Sequence, residues 1–216
     1  MGTALLVAIV VGSGIFAARL SPHDVGLQLL ENSTATGAGL MALILTFGHV
    51  SGAHFNPVVT LVERLHGRVS TGAAFAYVGA QIAGGACGAV VANLMFDLRA
   101  VNLSTHTRSS GSLWLAEVVA TFGLLVVIAG VSRSHHRDRA AFAVGGYIAA
   151  AYWFTSSTSF ANPAVTIART LTNTFSGIRP SSAPAFVAAQ IVGALLAAAF
   201  TGVVFRSTRV DELESV

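Results

Sequence analysis

Apolar residues fall along this chain in long runs, and the polar positions gather between the runs instead of alternating with them. Six runs, at about 1–18, 36–51, 72–96, 113–132, 140–156 and 184–205, each predict a membrane-spanning helix. A full crossing takes about 20 residues, and tilt accommodates the shorter runs. Two segments break the pattern, one between the second and third runs and one between the fifth and sixth. They read Asn56-Pro57-Val58-Val59-Thr60 and Asn162-Pro163-Ala164-Val165-Thr166, each followed by too few helix-compatible residues to cross a bilayer. Asn caps the free N–H groups of a helix start, and Pro sits where its own N–H would go unused. In a soluble protein these would be ordinary helix starts. In apolar surroundings they predict re-entrant half-helices, which membrane depth tolerates only where they are buried in protein or line water.

The two halves match beyond these segments. Ala80-Gln81-Ile82-Ala83-Gly84 in the third run corresponds to Ala189-Gln190-Ile191-Val192-Gly193 in the sixth, Gly39 corresponds to Gly145, and Gly2-Thr3-Ala4-Leu5-Leu6-Val7 corresponds to Ala120-Thr121-Phe122-Gly123-Leu124-Leu125. Three spans per repeat is an odd number, so the second half sits upside down relative to the first. The predicted fold is an all-α membrane protein: six transmembrane helices plus two re-entrant half-helices in an inverted repeat. The chain 1–216 reads as one domain, with repeats at 1–110 and 111–216. Functional sites of such repeats fall near the bilayer midplane. Glu117, an acid within the fourth run, is expensive there and calls for a role. Its counterpart in the first run would precede Met1, which leads to the expectation of a natural start further upstream.

Charge sets the orientation. The link Arg133-Ser134-His135-His136-Arg137-Asp138-Arg139 is the densest basic segment. Placing it in the cytoplasm puts both termini there, in agreement with Arg64, Arg68, Arg206 and Arg209, and leaves the links 19–35 and 97–112 outside. His135 and His136 read as part of an exposed polar link rather than a pH sensor. Composition agrees with a membrane protein: 54% of residues are hydrophobic and 10% charged, against about 25% charged in ordinary globular chains. Lysine is absent, and the arginines are scattered without the stripe that nucleic-acid binding requires. A lone cysteine, Cys87 in an apolar run, rules out a disulfide framework and reads as packing.

Inverted half-helices enter from opposite faces and bring their N-termini together. Each terminus carries roughly half a positive charge, so the pair opposes cations, protons included. Each asparagine amide also offers N–H donors to a passing oxygen. Neutral hydroxylated molecules are the solutes such a pore would pass.

At this point the chain resembles a family, the aquaporins and aquaglyceroporins, or major intrinsic proteins. The resemblance is carried by Gly48-His49-Val50-Ser51-Gly52-Ala53-His54-Phe55-Asn56-Pro57-Val58-Val59-Thr60 and Phe160-Ala161-Asn162-Pro163-Ala164 inside a six-span inverted repeat. It implies a passive channel for small neutral solutes in a homotetramer with one pore per subunit, set in lipid. The first box departs by carrying Val58 in place of alanine. A second departure matters more: where the family has arginine three residues after the second-box asparagine, this chain has Val165. By family spacing the outer filter comprises Thr36, Ala150, Ser159 and Val165, all small, which implies a wide and weakly polar constriction; a one-residue shift in the fifth run would bring in neighbours of Ala150, with Tyr152 and Trp153 close by. Arg169, four residues beyond Val165 on about the same helical face, is expected at the vestibule or surface, with a stand-in for the missing filter charge as the alternative. His49 and His54 are expected to hold the re-entrant loop by hydrogen bonds. The run Asn-Pro-Ala-Val-Thr-Ile-Ala-Arg also resembles a bacterial subgroup found beside arsenic-resistance genes. That likeness implies a plasma-membrane location and passage of arsenite, with glycerol, urea and water as further solutes.

The competing class is an inverted-repeat secondary transporter of a small polar solute. Such proteins place ionisable groups at the midplane for coupling, whereas Glu117 is the one acid within a span. An enzyme is not expected, since no triad or metal-ligand spacing occurs, and no cofactor is implied.

Overall fold

In a computed structural model of the protein, which describes residues 1–133 and 139–214, eight α-helices follow one another among the described residues. They are α1 (Gly2–Leu20), α2 (Val25–Ser51), α3 (Pro57–Leu65), α4 (Thr71–Met95), α5 (Gly111–Arg133), α6 (Ala140–Phe154), α7 (Pro163–Ala168) and α8 (Ala183–Glu214). Five are long and apolar enough to cross a membrane, and the sixth spanning position is taken by the shorter apolar α6. The basic link at Ser134–Asp138, with His135 and His136, lies outside the described residues.

The link expected at 19–35 is mostly helix. α2 begins at Val25, where Asp24 caps it by accepting from the Leu27 N–H at 2.9 Å. Its first turns carry Gln28, Asn32 and Ser33, which read as loop in the sequence but are buried against protein. Asn32 donates to the Val10 carbonyl at 2.9 Å and to Ser13 at 2.8 Å, and the Trp153 indole donates to Ser33 at 3.1 Å. Polar groups turned inward and satisfied cost little in a membrane bundle.

The bundle buries an apolar core and also carries large apolar side chains on its outside, such as Leu45, Phe75, Leu115 and Leu196. Helices α1 and α4 pack together, as do α5 and α8, and α2 lies on α1 and α6. Small residues set the approach. A Cβ on Gly88 would meet the Ala4 carbonyl oxygen of α1 at 2.1 Å, and one on Gly193 would meet the Val118 oxygen of α5 at 2.5 Å. Gly145 of α6 faces the Gly37 carbonyl of α2, while Gly39 packs against Ile9 of α1. Without a hydrophobic drive between helices in lipid, such close backbone contact supplies the dispersion energy of association.

Helices α3 and α7 are the two half-helices, the second extended by a 3-10 turn at Arg169–Leu171. The repeat is visible in their hydrogen bonds. Gln81 of α4 donates to Thr60 at 3.0 Å, and its counterpart Gln190 of α8 donates to Thr166 at 2.8 Å. It is also visible in the backbone. Ala53 and Phe55 before the first asparagine, and Ser159 and Ala161 before the second, all have φ between 45° and 48°. Left-handed conformations of this kind cost about 1–3 kcal/mol each in a non-glycine residue and persist only where the surroundings impose them.

Candidate functional site

The asparagines do two jobs with one side chain. Asn56 Oδ1 accepts from the Val58 N–H at 3.1 Å, and Asn162 Oδ1 accepts from the Ala164 and Val165 N–H groups at 3.0 and 3.2 Å. Each Nδ2 crosses to the opposite loop: Asn56 donates to the Ala161 carbonyl at 2.8 Å, Asn162 to the Phe55 carbonyl at 2.9 Å. An amide carries two N–H donors, so one remains on each side chain. Pro57 and Pro163 open the two helices, and Val58 and Ala164 behind them are buried.

Both asparagines line a cavity of about 310 Å³. Toward the end of α3 it passes Val59, His54, Glu63 and Arg68; toward the end of α7 it passes Thr36, Tyr152, Ser159, Val165 and Arg169. Apolar walls come from residues such as Leu6, Val10, Leu40 and Ile148. His54 shares a 3.2 Å hydrogen bond with Thr60, while Glu63 and Arg68 form an ion pair at 2.8 Å.

Two expectations need correction. Ala150 is exposed and does not line the cavity. The inward stripe of α6 is Val144, Ile148 and Tyr152, four residues apart, and a position two residues from Ile148 is turned about 200° away from it. Tyr152 therefore stands where a small residue was expected, its hydroxyl 3.3 Å from that of Thr36, so this end of the cavity is not walled by four small side chains. His49 sits at an exposed position of the last turn of α2, and its side chain has no hydrogen bond to the loop among the described residues.

Arg169, only 2% exposed, lies under the loop with its guanidinium carbon 3.4 Å from the Phe160 ring centroid, and its Nε donates to the Ser176 carbonyl. Ser159 contributes a buried hydroxyl with no partner among the described residues. The loop is fixed from behind by Glu117, fully buried. Its carboxylate accepts from the Phe160 and Ala161 N–H groups, both at 2.9 Å, and from Gln190 at 2.6 Å. The link between the repeats covers the same end. Ser104 N–H donates to the Thr170 carbonyl at 3.0 Å, and Arg108 Nε donates to the Gly177 carbonyl at 3.1 Å. Burial lowers the pKa of Arg108, opposed by the nearby Glu117 charge and Tyr152. Arg108 was not singled out in the sequence, and Tyr152 stood there only as a near neighbour of Ala150; the four-residue spacing from Val144 through Ile148 was the available signal.

A bundle of spanning helices with two capped half-helices meeting at a lined cavity defines a membrane channel. Residues 1–159 and 132–215 match the family model described as Major intrinsic protein. Aquaglyceroporin AqpS of Rhizobium meliloti (strain 1021) is 52% identical over 200 residues, covering 92% of this chain and 84% of that protein. Aquaporin NIP1-4 of Oryza sativa subsp. japonica is 38% identical over 62% of this chain and 52% of its own length. Probable aquaporin NIP4-2 of Arabidopsis thaliana is 38% identical over 44% of this chain and 35% of its length. The chain belongs to the major intrinsic protein family. It is an integral membrane channel for small neutral solutes, not an enzyme.

Proposed function

We propose that the protein is a passive pore for arsenite, glycerol, urea and water in a bacterial plasma membrane, with ions and protons excluded at Asn56 and Asn162. The observation that carries this reading is the cavity lined by both asparagines, each with an amide donor left over. A solute with several hydroxyls exchanges its water hydrogen bonds there for donors from Asn56 and Asn162 and for the hydroxyls of Thr36, Tyr152 and Ser159. Arsenous acid, neutral and triol-like at neutral pH, suits that set. The filter comprises Thr36, Tyr152, Ser159 and Val165, with Arg169 one helical turn beyond Val165. Val165 leaves open the volume an arginine would fill, while Tyr152 supplies bulk beside Thr36. The basic residues beyond α3 favour a cytoplasmic position for that end and for both termini. The outward leucines and phenylalanines serve lipid and the neighbours of a homotetramer.

Stopped-flow swelling of proteoliposomes offered water, glycerol, urea and arsenite tests the reading, with flux expected to be linear in concentration and insensitive to uncouplers. Val165→Arg is expected to cut glycerol and arsenite permeation at least tenfold and to spare water. Undiminished passage of the larger solutes through that variant would refute the open-volume reading of Val165.

A further inference from the structure

A second cavity, of about 220 Å³, lies beside the α7 end of the main one, and Arg169 is a wall of both. Its composition is uneven. Arg108 and Arg169 both reach the ring of Phe160, with guanidinium carbons 5.2 and 3.4 Å from the centroid. Each commits its Nε to a backbone carbonyl, of Gly177 and Ser176 respectively, and among the described residues neither guanidinium has a hydrogen bond from its terminal nitrogens. Glu117, the nearby acid, is engaged with the Phe160 and Ala161 amides and with Gln190. Asn32 turns its amide nitrogen away, toward Val10 and Ser13 of α1. Thr158 adds a hydroxyl, and the remaining wall is apolar: Val25, Leu29 and Phe175.

Two guanidiniums with unused donors, set against an apolar wall, match an acid group attached to an apolar body. Guanidinium forks take carboxylate and similar oxyanions through paired charge-assisted hydrogen bonds. The volume falls below the roughly 300–1,000 Å³ of drug-sized sites, so the occupant is small. We propose that this recess binds a small organic anion, its acid group bridging Arg108 and Arg169 and its body resting on Val25, Leu29 and Phe175. Because Arg169 also borders the main cavity beside Val165, an occupied recess slows solute passage. That second step rests on the main cavity being the solute path; binding itself does not.

Benzenesulfonate is a suitable probe, since it stays charged at every working pH and does not cross lipid unaided. Calorimetric titration of the purified full chain is expected to give one saturable site with a dissociation constant on the order of 1 mM, and none for neutral benzamide. Arg108→Gln is expected to weaken binding at least tenfold. Val25→Asp, at an exposed helix start that tolerates an acid, is expected to weaken it about fivefold by placing like charge at the rim. Val25→Asp keeps the test decisive if Arg108→Gln does not fold. Absence of saturable binding, equal binding by benzamide, or unchanged affinity in a folded Arg108→Gln or Val25→Asp protein overturns the site. In proteoliposomes, external benzenesulfonate is expected to reduce glycerol flux with a midpoint at the measured dissociation constant. An equal effect of chloride, or flux unchanged at saturation, overturns the coupling. A protein that binds the probe yet passes no solute when the probe is absent indicts the channel reading and leaves the recess standing.

Discussion

Replacing Glu117 with glutamine exchanges one carboxylate oxygen for an NH₂ group and removes the pin behind the second re-entrant loop. In the native protein the carboxylate accepts from Phe160 N–H, Ala161 N–H and Gln190. Glutamine keeps one acceptor oxygen and turns an NH₂ group toward an N–H donor, so at least one backbone donor is left unpaired in a site with no solvent exposure. Hydrogen bonds to charged groups contribute about 1.5–3 kcal/mol each, and an orphaned buried donor costs about 1–3 kcal/mol. The loss therefore comes to roughly 2–5 kcal/mol, comparable to the cost of the left-handed Ser159 and Ala161 that this contact holds in place. At about 2–4 °C per kcal/mol for a chain of this size, the thermal midpoint in detergent is expected to fall by roughly 5–15 °C. Glycerol flux should fall with it, since Ala161 O is the acceptor that orients Asn56. Glu63→Gln is the comparison: that acid pairs with the half-exposed Arg68 across 2.8 Å, and such pairs contribute about 0–1 kcal/mol. Equal melting and flux for Glu117→Gln and the native protein would refute the pinning role.

Three further outcomes are expected. Tyr152→Ala removes the bulk beside Thr36 and is expected to raise glycerol passage several-fold relative to water, whereas Tyr152→Phe keeps the bulk and should leave that ratio within about twofold; paired stopped-flow traces separate size from hydrogen bonding at the Thr36 contact. Gly88→Ala places a Cβ 2.1 Å from the Ala4 oxygen, against backbone that cannot turn aside. It is expected to lower stability by about 1–3 kcal/mol, read as a drop in melting temperature, with Gly79→Ala, which meets nothing within 4 Å, close to neutral. Arg169→Gln is expected to alter the permeability ratio of glycerol to water, since Arg169 lines the main cavity, and a ratio unchanged in a protein of native melting temperature would remove Arg169 from the solute path.

The elements whose signal is local were legible in the sequence. Asn-Pro at Asn56 and Asn162 is a cap and a first-turn proline, chemistry complete within three residues, and both half-helices begin there. Gln81 and Gln190 repeated in register, and their paired bonds to Thr60 and Thr166 follow from the same register. The start of α2 was hidden because Gln28, Asn32 and Ser33 are polar, and hydropathy does not distinguish a polar residue facing water from one satisfied by a neighbouring helix. Tyr152 was left as a neighbour of Ala150 for a different reason. The connection from α6 to the second box is not fixed by a spacing rule, and a shift of two residues moves a side chain to the far side of a helix. The position of Arg169 depends on Phe160 and Ser176, contacts that exist only once the loop has folded back.

The crossed bonds from Asn56 to Ala161 and from Asn162 to Phe55 have a consequence for assembly. Each half of the chain presents a donor whose acceptor belongs to the other half, like two hands gripping each other's wrists. The cavity between the two asparagines is thus absent from the first half as it leaves the ribosome and comes into being when the second half arrives and the grips close. Two separately encoded halves, produced together in one membrane, should recover a conducting protein that neither forms alone.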